Sequence, residues 1–167
     1  DIPVKSRIGM AALTRQRIEK NDGVPTDIHV KYYTDRAEDA GFVLTECTSI
    51  EREGNQFIGA PGIYNKEQIE GWKKVVDSVH QVNGIIILQI WHCGRTGTIE
   101  NLGVNPIGPS NIKNRHKSRR GNEFVDNSEP RELKVEEIKY YVDLFERCAM
   151  NAKEAGFDGI QLHGANG

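Results

Sequence analysis

The chain has 167 residues, of which 28% are charged and 37% are apolar, a composition typical of one ordinary globular domain. Its net charge of −2 gives no general attraction to nucleic acid or to a membrane surface, and we expect neither as a partner. No stretch approaches the roughly 18 apolar residues of a membrane-spanning helix, and residues 1–5 lack the basic start of a signal peptide.

The cysteines bear on redox compartment and on metal binding. Cys47, Cys93 and Cys148 are odd in number and widely separated, and they form no Cys-x-x-Cys pair. This arrangement argues against a disulfide framework and against a zinc site. We therefore expect three unpaired, mostly buried thiols in a reducing compartment, which favours a cytoplasmic protein.

Four short apolar runs alternate with three segments of helical periodicity. The predicted strands are residues 8–12, 42–45, 85–88 and 159–162, and the predicted helices are residues 28–40, 65–82 and 135–152. The apolar runs do not alternate with polar residues, which is typical of parallel strands that are covered on both faces. The order predicts an α/β fold with right-handed crossovers, either a barrel or a doubly wound sheet. No Gly-x-Gly-x-x-Gly follows the first strand, which disfavours a dinucleotide-binding Rossmann fold.

The ends of the predicted helices carry sequence signals. Asn65, with Gln68 three residues later, is a capping-box arrangement at the start of the second helix. A glycine follows each helix, and we expect all three to adopt the left-handed conformation of a C-terminal cap. These glycines are Gly41, Gly84 and Gly156.

The third helix has the clearest apolar face. Its members are spaced 3-4-3-4-3 along the chain: Val135, Ile138, Val142, Phe145, Ala149 and Ala152. Residues 93–134, which precede this helix, are rich in glycine, asparagine, proline and charge, a pattern that predicts a loop or an excursion from the main fold. Its basic run is expected to be solvated rather than to bind an anion: Lys113, Arg115, Lys117, Arg119 and Arg120.

Polar side chains follow each of the four predicted strands. Ligands of parallel α/β folds lie at the carboxyl ends of the strands, so we expect these residues to share one rim. They are Thr14, Glu46, Thr48, Gln89, His92, His163 and Asn166. A neutral histidine and an asparagine three residues apart, as at the fourth strand, can both donate hydrogen bonds to one anionic oxygen. Stabilisation of a developing enolate or nitronate requires this arrangement.

Several collinear segments resemble the old yellow enzyme family, and together they cover nearly the whole chain. They are residues 10–17 (MAALTRQR), 45–50 (TECTSI), 61–63 (PGI), 68–72 (QIEGW), 89–95 (QIWHCGR), 130–133 (PREL) and 155–167 (AGFDGIQLHGANG). The resemblance implies a (β/α)8 barrel, of which this chain holds about the first four strands and three helices. It also implies FMN as cofactor, NADPH or NADH as reductant, and hydride transfer to an alkene activated by a carbonyl or nitro group.

The resemblance assigns five residues to the flavin. Thr14 is expected to hydrogen-bond the ring near its C4 oxygen, and Gln89 to bind the pyrimidine edge. Ala12 is expected to offer a backbone contact, and Leu13 belongs to the same cofactor-binding set. Cys47 occupies a position where the family often has glycine or alanine beside the flavin.

The resemblance assigns His163 and Asn166 to catalysis, since both are expected to grip the activating oxygen of the substrate, and His163 also belongs to the cofactor-binding set. It implies a single FMN-binding domain, residues 1–167, that is truncated at the C-terminus. A (β/α)8 barrel needs about 250 residues, and its phosphate-binding loops follow strands seven and eight.

Four parallel strands leave unpaired edges. We therefore expect the isolated chain to be weakly active or inactive, and to associate with itself or with a complementing C-terminal half. One alternative is a non-catalytic half-barrel that acts as a structural or interaction module through its open strand edges. Another is a different barrel enzyme, such as an aldolase or isomerase, for which Glu46 is the one acid expected on the rim.

Overall fold

Parallel strands and surrounding helices form the body of the protein. A computed structural model describes residues 2–120 and 123–165, so Asn166 lies outside the described residues. The helices are α1 (Asp27–Ala37), α2 (Lys66–Gln81), α3 (Ile99–Leu102) and α4 (Val135–Glu154). The strands are β1 (Gly9–Met10), β2 (Phe42–Leu44), β3 (Thr48–Ser49), β4 (Ile86–Trp91), β5 (Ile107–Gly108), β6 (Ser118–Arg120), β7 (Glu123–Val125), β8 (Arg131–Glu132) and β9 (Gly159–Leu162). No helix in these two ranges is long and apolar enough to cross a bilayer.

The main sheet is parallel throughout and follows chain order. β1 pairs with β2, and β4 pairs with β2 and β3 along one edge and with β9 along the other. β2 and β3 are therefore two parts of one strand. The spatial order β1, β2 with β3, β4, β9 confirms the four predicted strands, and α1, α2 and α4 are the three predicted helices.

The second strand contains an extra residue. Leu44 and Thr48 are four positions apart, but their partners on β4 are only three positions apart, which defines a β-bulge. Val43, before the bulge, and Ile50, after it, both belong to the core that the helices cover. In a regular strand, two residues seven positions apart face opposite sides of the sheet. The bulge therefore reverses which residues of this strand face the helices.

The hydrophobic core lies between the sheet and the helices. α2 contributes one apolar face to it: Ile69, Trp72, Val75, Val76 and Val79. Full burial of an apolar side chain of this size stabilises the fold by about 1.5–3 kcal/mol. Trp72 is fully buried, and its indole N–H donates to the carbonyl of Gly62 at 3.0 Å. Half of the predicted capping box is present, since the Asn65 side chain accepts the N–H of Gln68 at 2.9 Å. The Gln68 side chain accepts the N–H of Tyr64, at 2.9 Å, instead of the N–H of Asn65.

Of the three glycines predicted to adopt a left-handed conformation, one does so. Gly156 has a φ of +92° at the end of α4, as predicted. After α2 the left-handed residue is Asn83, with a φ of +55°, and a Cβ on Gly84 would lie 2.7 Å from the nearest side chain of α1. A Cβ on Gly41 would clash with the carbonyl oxygen of Ser6. These two glycines therefore permit close packing, and the predicted backbone role is wrong for them.

The predicted apolar face of α4 is wrong in its first half. The residues of α4 that pack on the core are Tyr141, Leu144, Phe145, Cys148 and Ala152. Val135, Ile138 and Val142 are instead 81%, 49% and 57% exposed, and Ile160 and Leu162 of β9 are also exposed. We call these five residues the open face. They are exposed because β9 is the last strand of the described sheet, and no further described element packs against this side.

Residues 93–134, predicted to be a loop or an excursion, form an excursion from the main sheet that contains short regular elements. β5 pairs with β8 in parallel, and β6 pairs with β7 antiparallel. The side-chain oxygen of Asn127 accepts the N–H of Gly97 at 2.7 Å and ties the two ends of this segment together. Lys113, Arg115 and Lys117 of the basic run are exposed, as the interpretation of a solvated run requires.

Candidate functional site

A cleft of about 560 Å³ lies at the carboxyl ends of the parallel strands. Five of the residues predicted for the site line it: Ala12, Thr14, Cys47, Gln89 and His163. They follow or end four successive strands of the sheet. Because the strands are parallel, their carboxyl ends meet at one rim, and residues distant in the sequence become neighbours there.

One predicted residue, Leu13, is not among the described residues that line the cleft. Leu13 lies between Ala12 and Thr14, which both face the cleft, and its own side chain is 55% exposed. Successive side chains of an extended segment point to opposite sides, so any contact of Leu13 with a ligand in the cleft comes from its backbone. Asn166 lies outside the described residues, and its role stays a prediction.

Thr14 and Cys47 are in contact at the cleft. Thr14 Oγ1 lies 3.2 Å from Cys47 Sγ, and either atom can donate this hydrogen bond. Burial raises the pKa of the Cys47 thiol to about 12, so the sulfur keeps its proton at neutral pH. When the thiol donates, the hydroxyl proton of Thr14 is available to an acceptor in the cleft.

Gln89 is held by partners on both neighbouring strands. Its backbone N–H donates to Thr45 Oγ1 at 3.0 Å, and its side-chain Nε2 donates to Gln161 Oε1 at 2.6 Å. One N–H and the carbonyl oxygen of the Gln89 amide remain for a ligand, a donor next to an acceptor. Sequence reasoning missed Gln161, although its position two residues before His163 places both on one face of β9.

Sequence reasoning also missed an aromatic wall beside these polar groups. The Phe57 and Trp91 rings are stacked, with centroids 5.3 Å apart, and His163 meets Trp91 edge-on at 6.2 Å. The indole N–H of Trp91 is buried and has no hydrogen-bond partner in the described part of the chain. The sequence contained the information needed to predict Trp91, since it follows Gln89 by two residues on β4 and therefore faces the same side of the sheet. A π surface beside hydrogen-bonding groups suits a flat heteroaromatic ligand.

His92 lines the cleft but offers no free base. Its Nδ1 accepts the N–H of Gly94 at 2.9 Å, so the proton of the neutral ring lies on Nε2. That nitrogen lies 3.1 Å from Oε1 of Glu51, and the other carboxylate oxygen accepts the hydroxyl of Tyr140 at 3.3 Å. Both ring nitrogens of His92 are engaged, which gives the residue a structural role.

Glu46, predicted to lie at the rim, points away from the cleft towards α1. Its carboxylate is fully buried, and Oε2 accepts the backbone N–H groups of Arg15 at 2.8 Å and of Gln16 at 3.3 Å. Burial is the main cause that raises the pKa of Glu46 to about 7. The residues that the structure places around the cleft include no carboxylate and no lysine, so the alternative of an aldolase or isomerase lacks its base.

The whole chain, residues 1–167, matches the NADH:flavin oxidoreductase / NADH oxidase family. The protein belongs to this family. A relative from Leishmania infantum bears the name "Probable flavin mononucleotide-dependent alkene reductase". It is 41% identical over 174 residues, and the match covers 99% of this chain and 47% of that protein.

Solved structures of flavin oxidoreductases share the fold. The old yellow enzyme homologue of Zymomonas mobilis has a TM-score of 0.93 and 38% identity, over 98% of this chain and 46% of that chain. Morphinone reductase in complex with tetrahydroNAD has a TM-score of 0.90 and 35% identity, over 98% and 46%. These matches confirm the resemblance to old yellow enzyme and the partial (β/α)8 barrel. The chain spans less than half the length of the proteins it matches.

FMN is the cofactor that the family implies, and the residues of the cleft fit its ring. The Thr14 hydroxyl and the Gln89 amide offer donors and an acceptor, and the orphaned indole N–H of Trp91 lies in the aromatic wall. No arginine or lysine is among the described residues that line the cleft. Cations and helix N-termini are the usual phosphate partners. The described lining of the cleft therefore fits the isoalloxazine ring and includes no lysine or arginine that would neutralise the phosphate.

Proposed function

We propose that this chain forms the flavin-ring half of an FMN-dependent oxidoreductase that reduces activated C=C bonds with NADH or NADPH. The observation that carries the proposal is that Thr14, Gln89 and His163 line one cleft beside an aromatic wall. The substrates are α,β-unsaturated carbonyl or nitro compounds, since their oxygens accept the negative charge that hydride addition creates. FMN, when bound, supplies the hydride transfer.

The cleft residues bind and orient the ring. When the thiol of Cys47 donates to the Thr14 hydroxyl oxygen, the hydroxyl proton of Thr14 is left to donate to a ring carbonyl. Gln89 presents its remaining N–H and its carbonyl oxygen to the alternating acceptors and donor of the pyrimidine edge. The backbone of Ala12 and Leu13 completes this edge of the site.

His163 and Asn166 hold the substrate. Each donates a hydrogen bond to the carbonyl or nitro oxygen, which becomes more negative as the reaction proceeds. These bonds therefore stabilise the transition state more than the bound substrate. The backbone N–H of His163 donates to the carbonyl of Ile90 at 3.0 Å, which holds the residue at the end of β9.

We propose that complementing β/α units cover the open face, whether on the same polypeptide or on a separate one. Five apolar side chains are exposed there, and a surface of this kind is usually buried against a partner. The cationic residues that FMN phosphate needs are also absent from the described lining of the cleft. Without the complementing units, we expect weak FMN binding and weak or no activity.

Titration with FMN and a coupled activity assay test the proposal. We expect the protein to quench FMN fluorescence, and Thr14→Val and Gln89→Ala to weaken binding. Asp158→Asn is the control, because Asp158 accepts the N–H of Ile86 at the opposite end of the sheet. With complementing units present, NADH or NADPH should be oxidised in the presence of cyclohexenone. Absence of FMN binding in the complemented protein would contradict the proposal.

A second candidate is a non-catalytic half-barrel that acts as an interaction module. The exposed apolar residues of the open face favour it, and so does the absence of lysine and arginine from the described residues around the cleft. This candidate predicts stable association through the open face, with no flavin binding in the associated state. Measurement of bound FMN in the isolated complex separates the two functions.

A further inference from the structure

Glu46 is fully buried, and the chemistry proposed above does not use it. A buried carboxylate is unfavourable unless hydrogen bonds compensate its charge. Here the compensation comes from two successive backbone N–H groups, those of Arg15 and Gln16, at 2.8 and 3.3 Å from Oε2. Consecutive N–H groups that converge on one anion form a nest, a recurrent anion-binding arrangement of the backbone.

The backbone that Glu46 binds is strained. Gln16 has a φ of +55°, a left-handed conformation that is unfavourable for a residue with a side chain. Such a conformation persists only where the surroundings enforce it. The turn formed by Arg15 and Gln16 directly follows Thr14, so the bonds that enforce the turn also determine where Thr14 lies.

α1 faces Glu46 from the other side. His29 Nδ1 accepts the N–H of Thr26 at 3.0 Å, so its proton lies on Nε2, which faces Oε1 of Glu46 at 3.9 Å. Neither of these two facing atoms has a hydrogen-bond partner in the described part of the chain. The hydroxyl of Tyr33, also on α1, accepts the backbone N–H of Glu46 at 2.9 Å. A donor therefore faces the free oxygen, and the backbone of Glu46 is fixed.

Glu46 and Cys47, as neighbours in an extended strand, act on one segment from two sides, and the β-bulge decides which of them faces the cleft. Glu46 faces α1 and binds the backbone after Thr14, whereas Cys47 faces the cleft and contacts the Thr14 hydroxyl at 3.2 Å. We propose that Glu46 is a positioning residue of the flavin-ring site, which holds the turn of Arg15 and Gln16 and thereby sets the Thr14 hydroxyl at the cleft. The effect of Glu46 on the flavin rests on the proposed function. The effect of Glu46 on the turn does not.

Amide hydrogen exchange tests the effect on the turn without FMN. In Glu46→Ala, measured at about pH 8 where the wild-type carboxylate is mostly ionised, we expect the Arg15 and Gln16 amides to exchange about tenfold faster or more. A hydrogen bond to a charged group is lost there. Asp158→Asn is the matched control, since it weakens an acid–amide bond at the far end of the sheet. If Glu46→Ala impairs folding, Glu46→Gln is measured instead, with a smaller acceleration expected at the same two amides. Unchanged exchange at both amides would overturn the inference.

The midpoint potential of bound FMN tests the effect on the flavin. We expect Glu46→Ala to shift the potential in the same direction as Thr14→Val, and to add no further shift in the Thr14→Val background. If Glu46→Ala shifts the potential equally in the wild-type and the Thr14→Val backgrounds, Glu46 acts on the flavin independently of Thr14. That result overturns the positioning role. Failure of the wild-type protein to bind FMN overturns the proposed function instead, and the exchange of the two amides still decides whether Glu46 holds the turn.

Discussion

Gln89 of β4 and Gln161 of β9 face each other in register, and their side-chain amides are joined by a hydrogen bond of 2.6 Å. An amide side chain has two donors and an acceptor, and it can rotate to exchange them. By accepting one N–H, Gln161 fixes which groups of Gln89 face the cleft. The order of donor and acceptor offered to a ligand therefore depends on two strands rather than one.

Gln161→Ala should weaken FMN binding about tenfold, the equivalent of one lost hydrogen bond that orients the Gln89 amide. Fluorescence quenching of FMN measures the dissociation constant. Gln81→Ala, at the exposed end of α2, is the matched control and should leave binding unchanged. Equal affinities of wild type and Gln161→Ala would show that Gln89 does not need this partner.

The buried acid predicts a specific pH dependence of stability. Folding raises the pKa of Glu46 from 4.5 to about 7, mainly through burial. A group whose pKa is raised by folding stabilises the fold below its unfolded pKa, and this contribution is lost as pH rises through the folded pKa. As pH rises from below 4.5 to above about 7, the free energy of unfolding of the wild type should fall by about 3 kcal/mol relative to that of Glu46→Gln.

Urea unfolding of the two proteins between about pH 4 and 8 measures this difference. The charged and titratable groups around Glu46 are Arg15, His29, Tyr33 and Cys47. Burial lowers the pKa of His29, so its contribution has the opposite slope, and comparison with Glu46→Gln separates the two. A constant difference over the whole range would contradict an elevated pKa of Glu46.

The open face should drive association when the protein is studied alone. Val142 is 57% exposed on α4, and Val142→Glu places a charge within this apolar surface. We expect the mass measured by light scattering to fall towards the 18.8 kDa of one chain. Lys74→Glu, on the exposed side of α2, is the control. A wild-type protein that is already a monodisperse monomer would contradict this prediction.

The three thiols should be unreactive in the folded protein. Burial raises the pKa of Cys47 and Cys93 to about 12 and that of Cys148 to about 11. The thiolate is the reactive form, so labelling by a disulfide reagent near pH 8 should be about 100-fold slower or more than in urea. Rapid labelling of any one cysteine without urea would show that its surroundings open readily.

Most of the site could be predicted because it depends on local pattern and on one rule of topology. Thr14, Gln89 and His163 each follow or end an apolar run, and parallel strands bring such positions to one rim. The aromatic partner Trp91 was also accessible from the two-residue repeat of a strand. By contrast, no sequence pattern pairs Gln161 with Gln89, because that contact depends on the register between two distant strands.

By itself, the sequence determined the α/β alternation, the family and the polar residues of the cleft, since these depend on periodicity and motifs within short segments. Only the tertiary structure decided that Glu46 faces α1 while Cys47 faces the cleft, because one extra residue in the second strand reverses its alternation. The tertiary structure likewise decided which face of α4 is buried. An apolar stripe is covered only where another element packs on it, and within the described chain nothing covers Val135, Ile138 and Val142.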